Sequence, residues 1–438
     1  MRVLIFGLGL LGGGFSSAQY FVDRGDEVRI TDLRSEEALG EPLSILKRQG
    51  VTATCGYHDV EDVLWADIVI KNPAVSGDNP FLEHAKRIET DISYLLSSHI
   101  VSSVKKIAVT GTKGKTYTVA ALTHILNTLG HETLQFGNMG ISGFSVLSEL
   151  EKRVTHGYSL PEYVVCELSS WQIKDLYTIM GSNIPSFQVV ALTSLFPDHQ
   201  DWYNDFQSYK DDKWLLLGTS NSRIIMSETL VDDFVSTTRH TRRSIKTIES
   251  YSEIESKDPR IRVAWAISRS LGLGPKQMSK AIASFHGVPH RQEQVAIRNN
   301  IVFINDSSAT IPESVAFSTL FSPWPIHLIC GGTDKNLNSE AMLEALKRAL
   351  TIHLLDGTFT RDKLIPLLEK HNITYQGPFL TMKDAFQSAF SDAQASLKIH
   401  NTVTLMLSPG AASFGLFLHE FDRGNQFKEE VFRAIEEH

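Results

Sequence analysis

Three cysteines among 438 residues are too few for a disulfide framework, and Cys55, Cys166 and Cys330 are too widely spaced to form a zinc motif. Each lies in or near an apolar run, so reduced, buried thiols are expected. No stretch approaches the roughly 20 apolar residues that a bilayer-spanning helix needs. The opening Met1-Arg2-Val3-Leu4-Ile5-Phe6 breaks into glycines at once, with no small-residue cleavage site behind it, so no secretory leader is expected. Dense basic runs are also missing. The formal net charge is −8, and the short cluster Arg239, Arg242, Arg243 and Lys246 reads as a solvated loop. Binding to a nucleic-acid backbone is therefore not expected. Low-complexity tracts are lacking, and 42% of the residues are hydrophobic. These features predict a globular protein of two to four domains, cytoplasmic, with neither membrane nor nucleic acid as partner.

The most informative stretch is Ile107-Ala108-Val109-Thr110-Gly111-Thr112-Lys113-Gly114-Lys115-Thr116. Apolar β-formers run into a glycine-rich turn and then a helical pattern from Val119. Such a strand–loop–helix turns backbone N–H groups of Gly111, Thr112, Lys113 and Gly114 toward phosphate oxygens, with the helix N-terminus adding its partial positive charge. Lys115 would reach the terminal phosphates and Thr116 could hold Mg²⁺. A strict phosphate-loop pattern has glycine where Val109 stands, so this is a shortened variant. An ordinary turn is the competing reading of this stretch taken alone.

The chain begins with a separate βαβ unit. Strand Val3–Phe6 leads into Gly7-Leu8-Gly9-Leu10-Leu11-Gly12-Gly13-Gly14, a helix through Ala18–Arg24, and strand Glu27–Asp32 ending in an acid. That pattern predicts nucleotide binding at a helix N-terminus without saying which nucleotide. The unit ends near Ser93, which is short for a two-halved NAD fold. After the phosphate loop, strands Tyr163–Leu168 and Val189–Leu195 each end in polar clusters, Glu167 to Gln172 and Thr193 to Asp201. Parallel strands gather chemistry at their carboxyl ends, so both should converge on the loop. A glutamate at a buried strand end is costly unless paired or metal-bound, which makes Glu167 a candidate ligand and His199 a second beside it. The helix Phe206–Leu217 carries Lys210 and Lys213, and spacing does not choose between them. Residues 218–258 read as polar and irregular, and Gly287-Val288-Pro289-His290-Arg291 as a hinge. Beyond it, strands Ile301–Asn305, Ile326–Ile329, Ile352–Leu355 and Thr402–Leu407 alternate with helices, predicting a further α/β sheet. Three of these strands end in polar runs, at Asn305 to Thr310, Gly331 to Lys335 and Ser408 to Phe414.

Together these clusters resemble the Mur ligases, the ATP-dependent amide-forming enzymes of peptidoglycan precursor synthesis. The resemblance runs from Gly7 to Phe427. It rests on Thr110 to Thr116, Gly137-Asn138-Met139-Gly140, Glu167-Leu168-Ser169-Ser170, Asp198-His199, Pro289-His290-Arg291, Asn305-Asp306-Ser307, Gly331-Gly332 with Lys335, and Ser408-Pro409 with Ala412-Ser413-Phe414. Asp91-Ile92 and the tail Phe421-Asp422-Arg423-Gly424 with Phe427 resemble the D-glutamate-adding branch. The resemblance implies an α/β protein of three domains. A Rossmann-like UDP-substrate domain would span 1–93, a phosphate-loop ATPase domain 94–288, and a Rossmann-like amino-acid-binding domain 289–438. It implies a monomer that joins glutamate to UDP-N-acetylmuramoyl-L-alanine through an acyl phosphate, with ATP and two Mg²⁺ ions.

It also implies site residues. Lys115 would serve the phosphoryl transfer. Thr116 and Glu167 would hold one Mg²⁺, and Glu167, His199 and a carbamylated Lys213 the other. Leu10, Leu11, Asp32 and Arg34 would line the uracil-diphosphate pocket, and Asn138 and Ser169 would touch the UDP-substrate. Arg291 and Asp306 would reach ATP, while Thr310, Lys335, Ser413 and Phe414 would surround the glutamate. The chain departs from the family at Ser256-Lys257-Asp258-Pro259-Arg260, where adenine would sit. It departs again at Ser308, beside Asp306, and at Gly415 and Glu420-Phe421, which border the glutamate pocket and leave the chirality of the amino acid open. A folylpolyglutamate synthetase, a NAD-dependent dehydrogenase and a non-catalytic UDP-sugar-binding relative are the competing readings. The first would begin with its ATPase domain, and the second would leave the central loop idle.

Overall fold

The computed structural model describes every residue except 10, 11, 139, 197–202, 204, 219–221, 239–244, 251–258, 321, 323, 335, 336, 437 and 438. Its contacts divide the chain into two compact units, Met1–Phe285 and His286–His438.

The first unit holds two sheets. The N-terminal one has five parallel strands in the order Thr52–Cys55, Glu27–Asp32, Arg2–Phe6, Ile68–Lys71, Ile88–Glu89. The order reverses direction between Arg2–Phe6 and Ile68–Lys71, which opens a crevice at their carboxyl ends. The second sheet has six parallel strands, ordered Ile245–Thr247, Arg223–Met226, Val189–Leu192, Lys105–Thr110, Tyr163–Glu167, Thr133–Gly137. Its central strands are apolar on both faces, as a sheet covered by helices on two sides requires. Ile107, Val109, Val165, Val190 and Leu192 are all buried, each contributing about 1.5–3 kcal/mol of transfer free energy.

Residues 218–258 are not wholly irregular as expected. They include the strand Arg223–Met226, the helix Glu228–Thr237 and the strand Ile245–Thr247. The apolar run Ile224-Ile225-Met226 is too short to show a period, and its pairing with Val189–Ala191 is a tertiary effect. Cys166 and Cys330 are buried free thiols, but Cys55 is only half-buried, because its strand lies at the sheet edge.

The second unit has one six-stranded sheet, ordered Glu293–Arg298, Ile301–Asn305, Val403–Leu407, Ile326–Cys330, Ala349–Leu355, Gln376–Phe379. The first strand is antiparallel and the others parallel, so this sheet is mixed. Among the described residues, no helix is long and apolar enough to cross a membrane.

Candidate active site

Within the first unit, three neighbouring strands deliver polar groups to one place. Lys105–Thr110 lies between Val189–Leu192 and Tyr163–Glu167, with Val109 in register with Glu167. The loop Gly111–Gly114 follows the central strand. Gly111 has φ +142°, and a Cβ there would sit 2.1 Å from Thr193 Oγ1, so only glycine fits. Thr193 and Ser194, from the neighbouring strand's end, pin this loop. Thr193 Oγ1 donates to the Lys113 carbonyl at 2.6 Å, the Thr112 N–H to the Ser194 carbonyl at 2.9 Å, and the Lys113 N–H to Ser194 Oγ at 2.9 Å. The helix Lys115–Thr128 then starts at a left-handed Gly114 with no side-chain cap. A rigid loop with uncapped N–H groups at a helix start is suited to phosphate. The Lys115 ammonium donates to the carbonyls of Gly111 and Thr112 at 2.9 and 3.0 Å, and Thr116 stands half-buried beside it.

Glu167 is 1% exposed. Its Oε1 accepts from Asn138 Nδ2 at 3.2 Å, while Oε2 is buried and has no hydrogen-bond partner among the described residues. A buried carboxylate oxygen without a donor is costly, and a cation would satisfy it. This oxygen would suit a divalent metal, although the described residues hold no group of three His, Cys, Asp or Glu side chains placed to bind one. His199, expected beside Glu167, lies outside the described residues, as does Lys335.

The two lysines of helix Phe206–Leu217 have different surroundings. Lys210 pairs with Asp233, both Nζ–O distances being 3.0 Å. Lys213 is buried, and its Nζ donates to the Gly111 carbonyl at 3.2 Å and lies 4.5 Å from the Tyr209 ring centroid. The same helix brings Tyr209, whose hydroxyl donates to Thr112 Oγ1 at 3.1 Å. Thr193 and Ser194 belong to the polar run expected to converge on the loop, and they meet it there, whereas Tyr209 is not among the residues singled out from the sequence. The polar run at Thr193 was visible, but a tyrosine at helical spacing looks like core.

At the N-terminal sheet, buried Asp32 accepts from the Gly9 N–H at 3.1 Å through Oδ2, and from the Arg34 N–H and Nη1 at 2.9 and 3.2 Å through Oδ1. It thus ties the glycine loop to Arg34. Leu10 and Leu11 lie outside the described residues. Ser169 caps the helix Ser170–Met180 in a reciprocal box with Gln172, at the end of the Glu167 strand.

In the second unit, the adjacent ends of Ile301–Asn305, Val403–Leu407 and Ile326–Cys330 also converge. Asp306 is buried and accepts from Ser318 Oγ at 2.6 Å, Ser408 Oγ at 2.8 Å and the Gln292 N–H at 3.0 Å. Burial pushes its carboxyl up to about 6, against the pull of those donors. Ser413 is buried, Thr310 half-buried, and Phe414 and Arg291 exposed. Arg423, used above only as part of the tail, is fully buried. It donates to Ser307 Oγ and to the carbonyls of Ser307 and Ala411, joining two of the three loops. Burial without a carboxylate among these partners pushes it down to about 9.

Known proteins share this pattern. Residues 1–93 match the Mur ligase MurD-like N-terminal domain and residues 109–269 the Mur ligase middle domain. The UDP-N-acetylmuramoylalanine–D-glutamate ligase of Borreliella afzelii (strain PKo) is 31% identical, covering 98% of this chain and 97% of its own. That of Borreliella burgdorferi (strain ZS7) is 32% identical with the same coverage. Among solved structures, the UDP-N-acetylmuramate–alanine ligase of Thermotoga maritima superposes over 100% of both chains with a TM-score of 0.57 at 17% identity, a likeness of fold.

Proposed function

The chain belongs to the Mur ligase family, among its UDP-N-acetylmuramoylalanine–D-glutamate ligases, and from that premise we propose how its residues work. It is an ATP-dependent ligase that adds D-glutamate to UDP-N-acetylmuramoyl-L-alanine in peptidoglycan synthesis. Residues 1–93 bind the UDP-substrate, 94–288 bind ATP and 289–438 bring the amino acid. The γ-phosphoryl of ATP passes to the alanine carboxylate, ADP leaves, and the glutamate amine attacks the acyl carbon. Phosphate departs and the nitrogen loses its proton.

Phosphoryl transfer depends on positioning and charge neutralisation more than on covalent help. Gly111 to Thr116 cradle the phosphates, and Lys115 exchanges its loop carbonyls for the transferring group. Asp32, Arg34, Asn138 and Ser169, with Leu10 and Leu11, hold the UDP-substrate. Arg291 and Asp306 contact ATP. Thr310, Lys335, Ser413 and Phe414 hold glutamate. Thr116 and Glu167 would hold one Mg²⁺ ion, and Glu167, His199 and a carbamylated Lys213 a second. When bound, such ions neutralise phosphate charge. A carbamate on Lys213 forms when its neutral amine attacks CO₂ and loses a proton, turning a buried cation into an anionic oxygen donor of the kind Mg²⁺ prefers. The protein acts as a monomer.

The buried Oε2 of Glu167, without a hydrogen-bond partner among the described residues and on the strand beside the phosphate loop, carries this reading. Purified protein with UDP-N-acetylmuramoyl-L-alanine, ATP, Mg²⁺ and either enantiomer of glutamate tests it. ADP release and a product one glutamyl residue heavier, with the D form only, are expected. ATP left intact in the presence of both substrates would refute it.

A further inference from the structure

A buried ion pair that the catalytic scheme does not use joins the two sheets of the first unit. Lys71 ends the strand Ile68–Lys71 of the N-terminal sheet, and Asp175 lies on the helix Ser170–Met180 that follows Glu167 in the second. Their Nζ and Oδ2 atoms are 2.8 Å apart, and both residues are buried. The Lys71 ammonium also donates to the carbonyls of Val75 and Asn72, at 2.6 and 3.4 Å. One cation therefore holds both ends of the turn 72–75 and fastens it to the helix that begins shortly after Glu167.

That turn borders the crevice of the N-terminal sheet. Its fit against the glycine loop leaves no clearance. A Cβ on Gly7 would lie 3.0 Å from Asn72 Cβ and 3.2 Å from Val75 Cγ2, and one on Gly9 would lie 3.2 Å from Asn72 Nδ2. Gly9 in turn is held by Asp32. A continuous chain of contacts thus runs from Asp175 through Lys71 and the turn to the glycine loop and Asp32. Burying two full charges costs several kcal/mol each before their attraction offsets it, and buried ion pairs are often replaced by apolar pairs without loss of stability, so stability is a weak reason for keeping this one.

We propose that Lys71, with Asp175 as its counter-charge, is a positioning residue for the UDP-substrate. It sets the glycine-loop crevice at a fixed place relative to Glu167 and the phosphate loop. The proposal rests on the ligase reading given above for the identity of the substrate. Loosening the turn should weaken UDP-substrate binding and leave ATP, which is held by a loop fastened through Thr193 and Ser194, largely unaffected.

The test uses the full chain and four variants, Lys71→Met, Lys71→Arg, Asp175→Asn and the apolar pair Lys71→Met/Asp175→Leu. The apolar pair guards against a single variant that fails to fold, since it leaves no unpaired buried charge. Calorimetric titration with UDP-N-acetylmuramoyl-L-alanine reads binding without turnover, and steady-state kinetics reads KM for each substrate. We expect UDP-substrate affinity to fall about tenfold, the equivalent of about 1.4 kcal/mol, in Lys71→Met and in the folded apolar pair. Asp175→Asn should lose less, Lys71→Arg should recover most of the loss, and KM for ATP should stay within about twofold. A melting temperature at or above wild type in the apolar pair, together with weakened UDP-substrate binding, separates positioning from stability. Wild-type affinity in the folded apolar pair overturns the proposal, as does an equal loss for ATP. Wild-type protein that binds the UDP-substrate but makes no amide would instead count against the ligase reading and leave the binding test of Lys71 standing.

Discussion

Replacing Asp306 with asparagine should make the protein more stable and less active. The carboxyl is fully buried among neutral donors, and burial raises it from 3.8 to about 6. A folded-state value above the unfolded one means that the group costs nothing while both states are protonated, below about pH 4, and opposes folding increasingly as pH rises through 6. At about pH 7.5 the ionised carboxylate then costs about 3 kcal/mol relative to its neutral form. The asparagine side chain would be neutral at every pH. Its amide oxygen can still accept from the Gln292 N–H, and the hydroxyls of Ser318 and Ser408 can turn to accept from its NH₂. Urea denaturation of both proteins from about pH 7.5 to about pH 4 measures the gap. We expect Asp306→Asn to be the more stable by up to about 3 kcal/mol at the upper end, with the difference shrinking steadily to near zero at the lower. Under the proposed role of Asp306 at ATP, ligation near neutral pH should also fall. A gap that does not change with pH would refute the electrostatic reasoning, and full activity in the variant would remove Asp306 from the ATP site.

Lys115→Ala should lower kcat by about 10²–10³-fold with far-UV circular dichroism unchanged, since under the proposed mechanism it removes the charge that serves the transferring phosphoryl; near-native turnover would take the loop out of the mechanism. Lys213→Ala should lose ligation and regain part of it with added short carboxylic acids that stand in for a carbamate. Lys210→Ala removes a partly exposed ion pair worth about 0–1 kcal/mol and should ligate normally; the reverse pattern would transfer the role to Lys210. His327 and His353, both fully buried, share a Thr351 hydroxyl at 2.8 Å and are pushed down to about 4 by desolvation. The unfolded chain takes up these protons near pH 6.5 and the folded one only near 4. Stability should therefore fall by about 2 kcal/mol per histidine on going from about pH 8 to about pH 5, and a His327→Gln/His353→Gln protein with the same acid sensitivity as wild type would contradict this.

The strands that build the site were legible because each is a short apolar run stopped by polar or glycine residues. Lys105–Thr110, Tyr163–Glu167 and Ile301–Asn305 could be placed within a residue or two for that reason. Strands such as Thr133–Gly137 and Gln376–Phe379 were missed. Each lies at a sheet edge, with Leu134, Gln135 and Gly137 half-buried in the first and Gln376 to Pro378 exposed in the second, so no apolar period marks them. Within the site, Gly111 and Lys115 announce their chemistry by type and spacing. Lys213 does not. It follows Asp211 and Asp212 and looks like a solvated helix residue, and only packing buries it beside the phosphate loop while Lys210, one turn earlier, reaches Asp233. Arg423 is similar: its role depends on two loops over a hundred and about a dozen residues away in sequence.

How buried charge is satisfied separates function from framework in this chain. Lys71 and Asp175 form an ion pair within the fold at 2.8 Å, and the Lys71 ammonium also donates to the Val75 carbonyl. Glu167 has one oxygen met by Asn138 and the other by nothing among the described residues, and Asp306 accepts its hydrogen bonds from neutral donors, with Arg291 acting on its charge only as a lesser influence than burial. A fold optimised for stability would have neutral side chains at both positions. Keeping them anionic makes sense if a cation and a nucleotide complex complete them on binding. On that argument, ligand binding should stabilise each unit by more where its own carboxylate is present than where it is amidated. Divalent metal alone should raise the melting temperature of the wild type but not of Glu167→Gln, and an equal rise in both would show that Glu167 takes no part in holding the ion.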